Sequence, residues 1–154
     1  MPTKPQTAFA KPVEILLAED DPADVELVLQ ATKEFKILNN ISVVSNGEEL
    51  LKCLRKEGEY KNHPTPDLIL LDLNMPKKGG REALAEIRAD KALTHLPVVI
   101  MTCSDNEMDV VKSYELHANC YVKKPLQMAA FEKVVRDLEY FWFSIVTLPT
   151  RLPR

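Results

Sequence analysis

The chain contains 154 residues, of which 45% are hydrophobic, and carries a formal net charge of −3. These values indicate one domain with a real core, and they provide no basic field for nucleic acid. No apolar run is long enough to span a membrane and no signal-peptide pattern is present, so we expect no membrane contact. The three cysteines lack metal-ligand spacing and are expected to be reduced thiols, which favours a cytoplasmic protein.

Short apolar segments follow an N-terminal stretch, residues 1–12, that contains three prolines and is predicted to be a flexible tail. The predicted strands are Val13–Ala18, Ile41–Ser45, Asp67–Asp72, Pro97–Thr102 and Cys120–Val122. Three of them contain continuous apolar runs (ILLA, LILL and VVIM), which are typical of parallel strands covered on both faces.

Five amphipathic segments between and after the strands predict helices. Three have a recognisable start, which is Asp21 with Pro22 for the first, Asn46 with Glu49 for the second and Ser104 with Glu107 for the fourth, and the last helix is expected to begin after Pro125. The third helix is expected over Arg81–Ala89, and the fourth is expected to end near His117. The row of apolar side chains that faces the core on the last helix, which we call its inward stripe, is predicted to continue through Trp142 and Ile145. Five strands alternating with five helices predict a doubly wound α/β sheet.

Polar side chains stand where the predicted strands end. Glu19 and Asp20 follow the first strand, Asp72 ends the third, Thr102 ends the fourth and Lys124 follows the fifth. Ligands of such sheets bind beyond the carboxyl ends of the strands, so we expect these groups to converge. Crowded carboxylates repel one another, and Mg²⁺ with its preference for hard oxygen ligands relieves this. A carboxylate beside a metal and an ammonium is suited to attack a phosphoryl group, which predicts this role for Asp72.

Four segments of the chain resemble the receiver domain of two-component response regulators. They are ILLAED (15–20), LILLDLNMP (68–76), VVIMT (98–102) and YVKKP (121–125). The resemblance covers about residues 13–140, which we take as the receiver domain, followed by an aromatic C-terminal extension over residues 141–154. It implies a flavodoxin-like five-stranded parallel sheet in the order 2-1-3-4-5, with five helices.

The resemblance also assigns roles at the predicted metal site. It implies that Asp72 is the phosphoacceptor and that Mg²⁺ is held by Asp20, Asp72 and the backbone carbonyl of Asn74. Glu19 would contribute through a water molecule. It stands where an aspartate is more frequent, so its carboxylate is retained with a longer reach.

Further roles follow from the same resemblance. Lys124 would contact the phosphoryl group and Thr102 would hydrogen-bond to it. Thr102 and Tyr121 would form the switch, with Tyr121 turning inward when Thr102 moves. The peptide bond between Lys124 and Pro125 is expected to be cis.

Longer stretches resemble the small response regulators that serve cyanobacterial phytochromes. They are residues 58–87, 113–125 and 139–149. This implies a single-domain response regulator phosphorylated by a sensor histidine kinase, here a light-sensing phytochrome. Residues 141–154 are too few for a DNA-binding domain, so output is expected through protein contacts. Phe141 and Phe143 lie off the inward stripe, which favours a homodimer through the fourth helix, fifth strand and fifth helix, although both rings could instead cover their own domain.

Three other functions are less consistent with the sequence. A phosphatase of the haloacid dehalogenase type needs an aspartate at position 74, where this chain has Asn74. A flavodoxin-like electron carrier needs a phosphate loop rich in serine and threonine after the first strand, whereas EDDPAD (19–24) is acidic. A receiver-shaped scaffold that never accepts phosphate would not need every one of these chemical groups. We therefore expect that the protein does not act as an enzyme on other molecules. Its site is expected only to assist the Mg²⁺-dependent phosphorylation and dephosphorylation of its own aspartate.

Overall fold

The structure is a computed structural model that describes residues 11–35, 37–103 and 106–151. Its strands form one parallel sheet in the order β2-β1-β3-β4-β5, which confirms the expected topology. The strands are β1 (Val13–Ala18), β2 (Asn39–Val44), β3 (Leu68–Leu71), β4 (Val98–Thr102) and β5 (Cys120–Lys123). The helices are α1 (Pro22–Lys33), α2 (Gly47–Leu54), α3 (Gly80–Ala89), α4 (Glu107–Glu115) and α5 (Met128–Tyr140).

The sheet has a hydrophobic core on each face. Leu16, Ile69 and Ile100 belong to one core, and Ile15 and Leu70 to the other, so successive residues of one strand serve opposite faces. This explains the continuous apolar runs, because a strand covered on both sides has no solvent face. Along the part of the chain that the structure describes, no helix has both the length and the apolar character that crossing a membrane would require.

Helix α4 starts later than its sequence pattern suggested. The predicted cap, Ser104, lies outside the described residues, and the N-cap is Asn106, whose side chain accepts a hydrogen bond from the Met108 N–H at 2.9 Å. The helix ends at Glu115, and His117 has a left-handed φ of 62°. A left-handed residue cannot continue a right-handed helix, so the predicted end near His117 is about one half-turn too late.

The loop from Asp72 to Gly80 leads from β3 into α3 by a very close backbone approach. A Cβ on Gly80 would lie 2.3 Å from the carbonyl oxygen of Asp72, so only glycine fits there. The residue with left-handed backbone in this loop is Lys77, with a φ of 61°, rather than either glycine. Glycine is therefore required at position 80 for close packing against the end of β3, and not for a left-handed backbone.

The C-terminal segment, residues 141–151, folds back onto the domain. It opens with a π-helix, Phe141–Ile145, and Trp142 is buried in the core between the sheet, α1 and α5. Ile145 is 60% exposed, so its predicted inward position is wrong. A π-helix turns less per residue than an α-helix, which rotates Ile145 out of the stripe. Leu148 is buried in the same core, and the Thr150 hydroxyl donates a hydrogen bond to the Asp67 carboxylate.

Candidate functional site

Three of the predicted site residues meet at the carboxyl edge of the sheet. The Lys124 ammonium lies 2.8 Å from Glu19 Oε2 and 3.4 Å from Asp72 Oδ2. All three side chains are buried. Residues that are 52 and 105 positions apart in sequence are thus brought into direct contact, as the strand-end pattern predicted.

Backbone hydrogen bonds that extend the sheet hold each of these residues in place. The Glu19 N–H donates to the Val44 carbonyl at 2.9 Å, and the Asp72 N–H donates to the Ala18 carbonyl at 3.0 Å. The Lys124 N–H donates to the Thr102 carbonyl at 2.7 Å. The side chains are therefore positioned by main chain that continues the strands, which gives a site more precise than a free loop would allow.

The carboxylates of Glu19, Asp20 and Asp72 form a cluster. One oxygen of each lies within 4.8 Å of the others, and Asp20 is exposed while the other two are buried. Hard oxygen donors at this separation fit a divalent cation such as Mg²⁺. The Asn74 N–H, two residues after the strand-end aspartate, lies 3.3 Å from Asp72 Oδ1 and helps to orient that carboxylate.

Burial, together with hydrogen bonding to Asp72, raises the pKa of Glu19 above its ordinary value. Burial lowers the pKa of Lys124, but hydrogen bonds to Glu19 and Asp24 outweigh it and raise that pKa above its ordinary value. The ammonium therefore stays charged. A further positive charge at the site, such as a bound divalent cation, would favour the ionised form of Glu19.

Asp24 is a member of this site that the sequence analysis missed. Its Oδ2 lies 2.9 Å from the Lys124 ammonium, so Lys124 is shared among three carboxylates. Asp24 lies in the first turn of α1, where an acidic residue is also favoured by the helix dipole. Its position one turn after Asp20, on the helix that starts at the rim, is the signal that could have identified it.

Thr102 and Tyr121 lie on neighbouring strands beside the cluster. Thr102 is 0% exposed, and its hydroxyl has no hydrogen-bond partner among the described residues. Tyr121 is half-buried and faces Ile100 across the strand pair, packed against the core on the side of α2 and α3. A buried hydroxyl without a partner is costly, and a bound phosphoryl oxygen next to it would satisfy it.

The peptide bond between Lys124 and Pro125 is trans, so the expected cis bond is wrong for this structure. The trans form is the more stable one for most bonds of this kind, by about 0.5–1 kcal/mol. Glu19, Asp20, Asp72 and Lys124 lie together all the same.

The two predicted interface residues lie away from this site and differ from each other. Phe141 is 48% exposed. Phe143 is half-buried against its own domain, with its ring centroid 6.4 Å from that of Phe35.

Comparisons with known proteins agree with this geometry. The response regulator receiver domain family matches residues 15–136. Response regulator Rcp1 of Synechocystis is 47% identical over 138 residues, which cover 90% of this chain and 94% of that protein. The structure of the phosphorylated cyanobacterial phytochrome response regulator RcpA superposes with a TM-score of 0.88 at 45% identity, covering 90% of this chain and 99% of RcpA. The Mn²⁺-bound form of Rcp1 gives a TM-score of 0.86 at 47% identity, with the same coverage. The chain therefore belongs to the response regulator receiver domain family.

Proposed function

We propose that this protein is a phosphorylation-switched response regulator whose Asp72 accepts a phosphoryl group from a histidine kinase. The observation that carries the proposal is the surroundings of Asp72. Its buried carboxylate lies beside the Lys124 ammonium, and the Thr102 hydroxyl, which has no hydrogen-bond partner among the residues that the structure describes, is buried at the end of the adjacent strand. A nucleophile, a cation and a hydrogen-bond donor at the carboxyl edge of the sheet match the needs of phosphoryl transfer.

In the proposed reaction, a carboxylate oxygen of Asp72 attacks the phosphorus of a phosphohistidine. An O–P bond forms, the P–N bond breaks, and the histidine nitrogen leaves with the electron pair. Lys124 neutralises part of the charge on the phosphoryl oxygens, and Thr102 donates a hydrogen bond to one of them. Hydrolysis by water later breaks the O–P bond, releases phosphate and restores the carboxylate.

We propose Mg²⁺ as the metal of this site. Asp20 and Asp72 would hold it directly, together with the Asn74 carbonyl, and Glu19 would act through water. The three clustered carboxylates support this assignment, and so does the Mn²⁺-bound form of the related Rcp1. When bound, the ion supplies positive charge against the phosphoryl oxygens.

The proposed output is a shift between two packings of the same fold. A phosphoryl group on Asp72 would draw Thr102 towards it, and Tyr121 would turn into the space that Thr102 vacates. Tyr121 is already half-buried against the core on the side of α2 and α3, so this shift in packing needs no new fold. It would alter the surface formed by α4, β5 and α5.

Intact-mass measurement with acetyl phosphate and Mg²⁺ tests the phosphoacceptor. The wild-type protein should gain one phosphoryl group, and Asp72→Asn should gain none. Asp67→Asn is a matched control, because it changes a buried aspartate at the other end of the same strand and keeps an oxygen that can accept from the Glu14 N–H. Phosphorylation of Asp72→Asn equal to that of wild type would refute the proposal.

A phytochrome is the kinase that we propose. The support is the similarity to Rcp1 and to RcpA, the latter named as a cyanobacterial phytochrome response regulator. Phosphotransfer from a phytochrome kinase should be faster than transfer from a histidine kinase of another sensor class at equal concentration. Equal rates with both kinases would remove the basis for naming a phytochrome.

We further propose a homodimer through α4, β5, α5 and the aromatic C-terminal extension. Met108, Val111 and Tyr114 are exposed at intervals of three along α4. Since Phe143 packs on Phe35 in its own domain, Phe141 is the better test residue. Phe141→Ala should weaken dimerisation in sedimentation equilibrium, whereas Leu38→Ala, which removes an exposed apolar side chain next to β2 at the opposite edge of the sheet, should not. Equal dimerisation of both variants and wild type would contradict this interface.

A further inference from the structure

The ammonium of Lys124 has no hydrogen-bond donor to spare in this state. Its three donors face three carboxylates, with Nζ 2.8 Å from Glu19 Oε2, 2.9 Å from Asp24 Oδ2 and 3.4 Å from Asp72 Oδ2. A new acceptor can bind Lys124 only if one of these contacts is released.

The three carboxylates differ in what their release would cost. The exposed fraction of the side chain is 3% for Glu19 and 8% for Asp72, but 24% for Asp24. Glu19 would remain an unpaired buried charge if it lost Lys124, which is strongly unfavourable, whereas Asp72 becomes an acyl phosphate whose phosphoryl oxygens take over its contact with Lys124. Asp24 can turn to water instead, so it is the contact that Lys124 gives up at the lowest cost.

We infer that Asp24 is a positioning residue that competes with the phosphoryl group for Lys124. This inference rests on the proposed function, in which Lys124 binds the phosphoryl oxygens on Asp72. In the unphosphorylated protein, Asp24 holds the ammonium on the side of α1. A phosphoryl group on Asp72 draws the ammonium towards Asp72, which is 3.4 Å away, and away from Asp24, which is 2.9 Å away, so the strength of the Asp24 ion pair opposes formation of the phosphorylated state.

Beryllofluoride, which forms a non-covalent phosphoryl mimic on aspartate, provides an equilibrium test at fixed Mg²⁺. Asp24→Asn should bind it about two- to fivefold more tightly than wild type, the factor that corresponds to a partly exposed ion pair. Asp24→Glu keeps the charge and should bind as wild type does. A merely structural role of Asp24 would instead weaken binding, because the site would be less ordered.

Asp21→Asn is the matched control for charge alone. Carboxylate oxygens of Asp21, Asp24 and Glu19 lie within 4.8 Å of one another, so the two substitutions remove a negative charge at nearly the same place. Asp21 caps α1 through the Ala23 N–H and has no bond to Lys124, and asparagine caps equally well. Asp21→Asn should change beryllofluoride affinity less than Asp24→Asn does.

A second measurement uses the protein without metal or phosphoryl mimic. In ¹⁵N-lysine spectra the ammonium protons of Lys124 should exchange slowly with water in wild type and in Asp21→Asn, and faster in Asp24→Asn. Equal affinities and equal exchange rates for the two variants would overturn the role of Asp24 and leave the proposed function intact. A wild-type protein that binds no beryllofluoride at Asp72 would refute the proposed function itself, and this inference with it.

Discussion

Glu139 is a buried carboxyl without a hydrogen-bond partner in the described part of the chain, and its removal should change how stability depends on pH. Its side chain faces the core from α5, it is 2% exposed, and neither carboxyl oxygen has a hydrogen-bond partner within the described residues. Burial raises its pKa from 4.5 to about 7. A carboxyl whose pKa rises on folding binds more protons in the folded state, so the free energy of unfolding falls as pH rises from about 4.5 towards 7.

The magnitude follows from the size of this change. Each pKa unit corresponds to about 1.4 kcal/mol, so the shift of Glu139 removes about 3 kcal/mol of stability between pH 4 and pH 8. Glu139→Gln keeps the shape of the side chain and cannot ionise. The difference in the free energy of unfolding, variant minus wild type, should therefore increase by about 3 kcal/mol over that range.

Urea unfolding at several pH values, in the presence of a metal chelator, measures this difference. The single tryptophan, Trp142, is buried and lies three residues after Glu139 in the chain, and its fluorescence reports unfolding, with circular dichroism as an independent probe. Glu19 also has a raised pKa, but its effect is common to both proteins and cancels. Glu132→Gln controls for loss of a charge from the same helix at a half-buried position. A difference between Glu139→Gln and wild type that stays constant from pH 4 to pH 8 would refute the reasoning.

Three further substitutions test the fold by their effect on the free energy of unfolding in urea. Lys56 has a left-handed φ of 56°, so Lys56→Gly should stabilise the protein by about 1 kcal/mol, and a loss of stability would contradict strain there. Gly80→Ala places a Cβ against the Asp72 carbonyl and should destabilise by about 2 kcal/mol or more, whereas Gly79→Ala, where the nearest atom is 3.4 Å away, should cost clearly less. Arg88→Met removes four hydrogen bonds, three to backbone carbonyls and one to a side-chain amide, and should lower the free energy of unfolding by about 2 kcal/mol. An unchanged urea midpoint would show that water replaces these hydrogen bonds.

The sheet and most of the site could be predicted because they depend on repeated local patterns. An apolar run such as LILL has one stable environment, a strand covered on both faces, and strand ends then define the rim. Asp24 does not stand at a strand end, so the strand-end pattern missed it. Its position one turn after Asp20 only suggested that it lies near the site, and its contact with Lys124 depends on how α1 is rotated against the sheet. The outward position of Ile145 could not be predicted either, because it depends on one π-helical turn. Nor could the burial of Glu139, because a charged side chain is normally expected at the surface.

The end of the chain matters for anyone who joins this domain to another protein. A cut at the last residue of α5, Tyr140, would remove Trp142 and Leu148, which are both buried, and would take away the hydroxyl that binds Asp67. The truncated piece would expose the apolar core residues that Trp142 and Leu148 cover. A fusion that is meant to preserve the fold should therefore keep the chain through Arg151 and begin its linker beyond it.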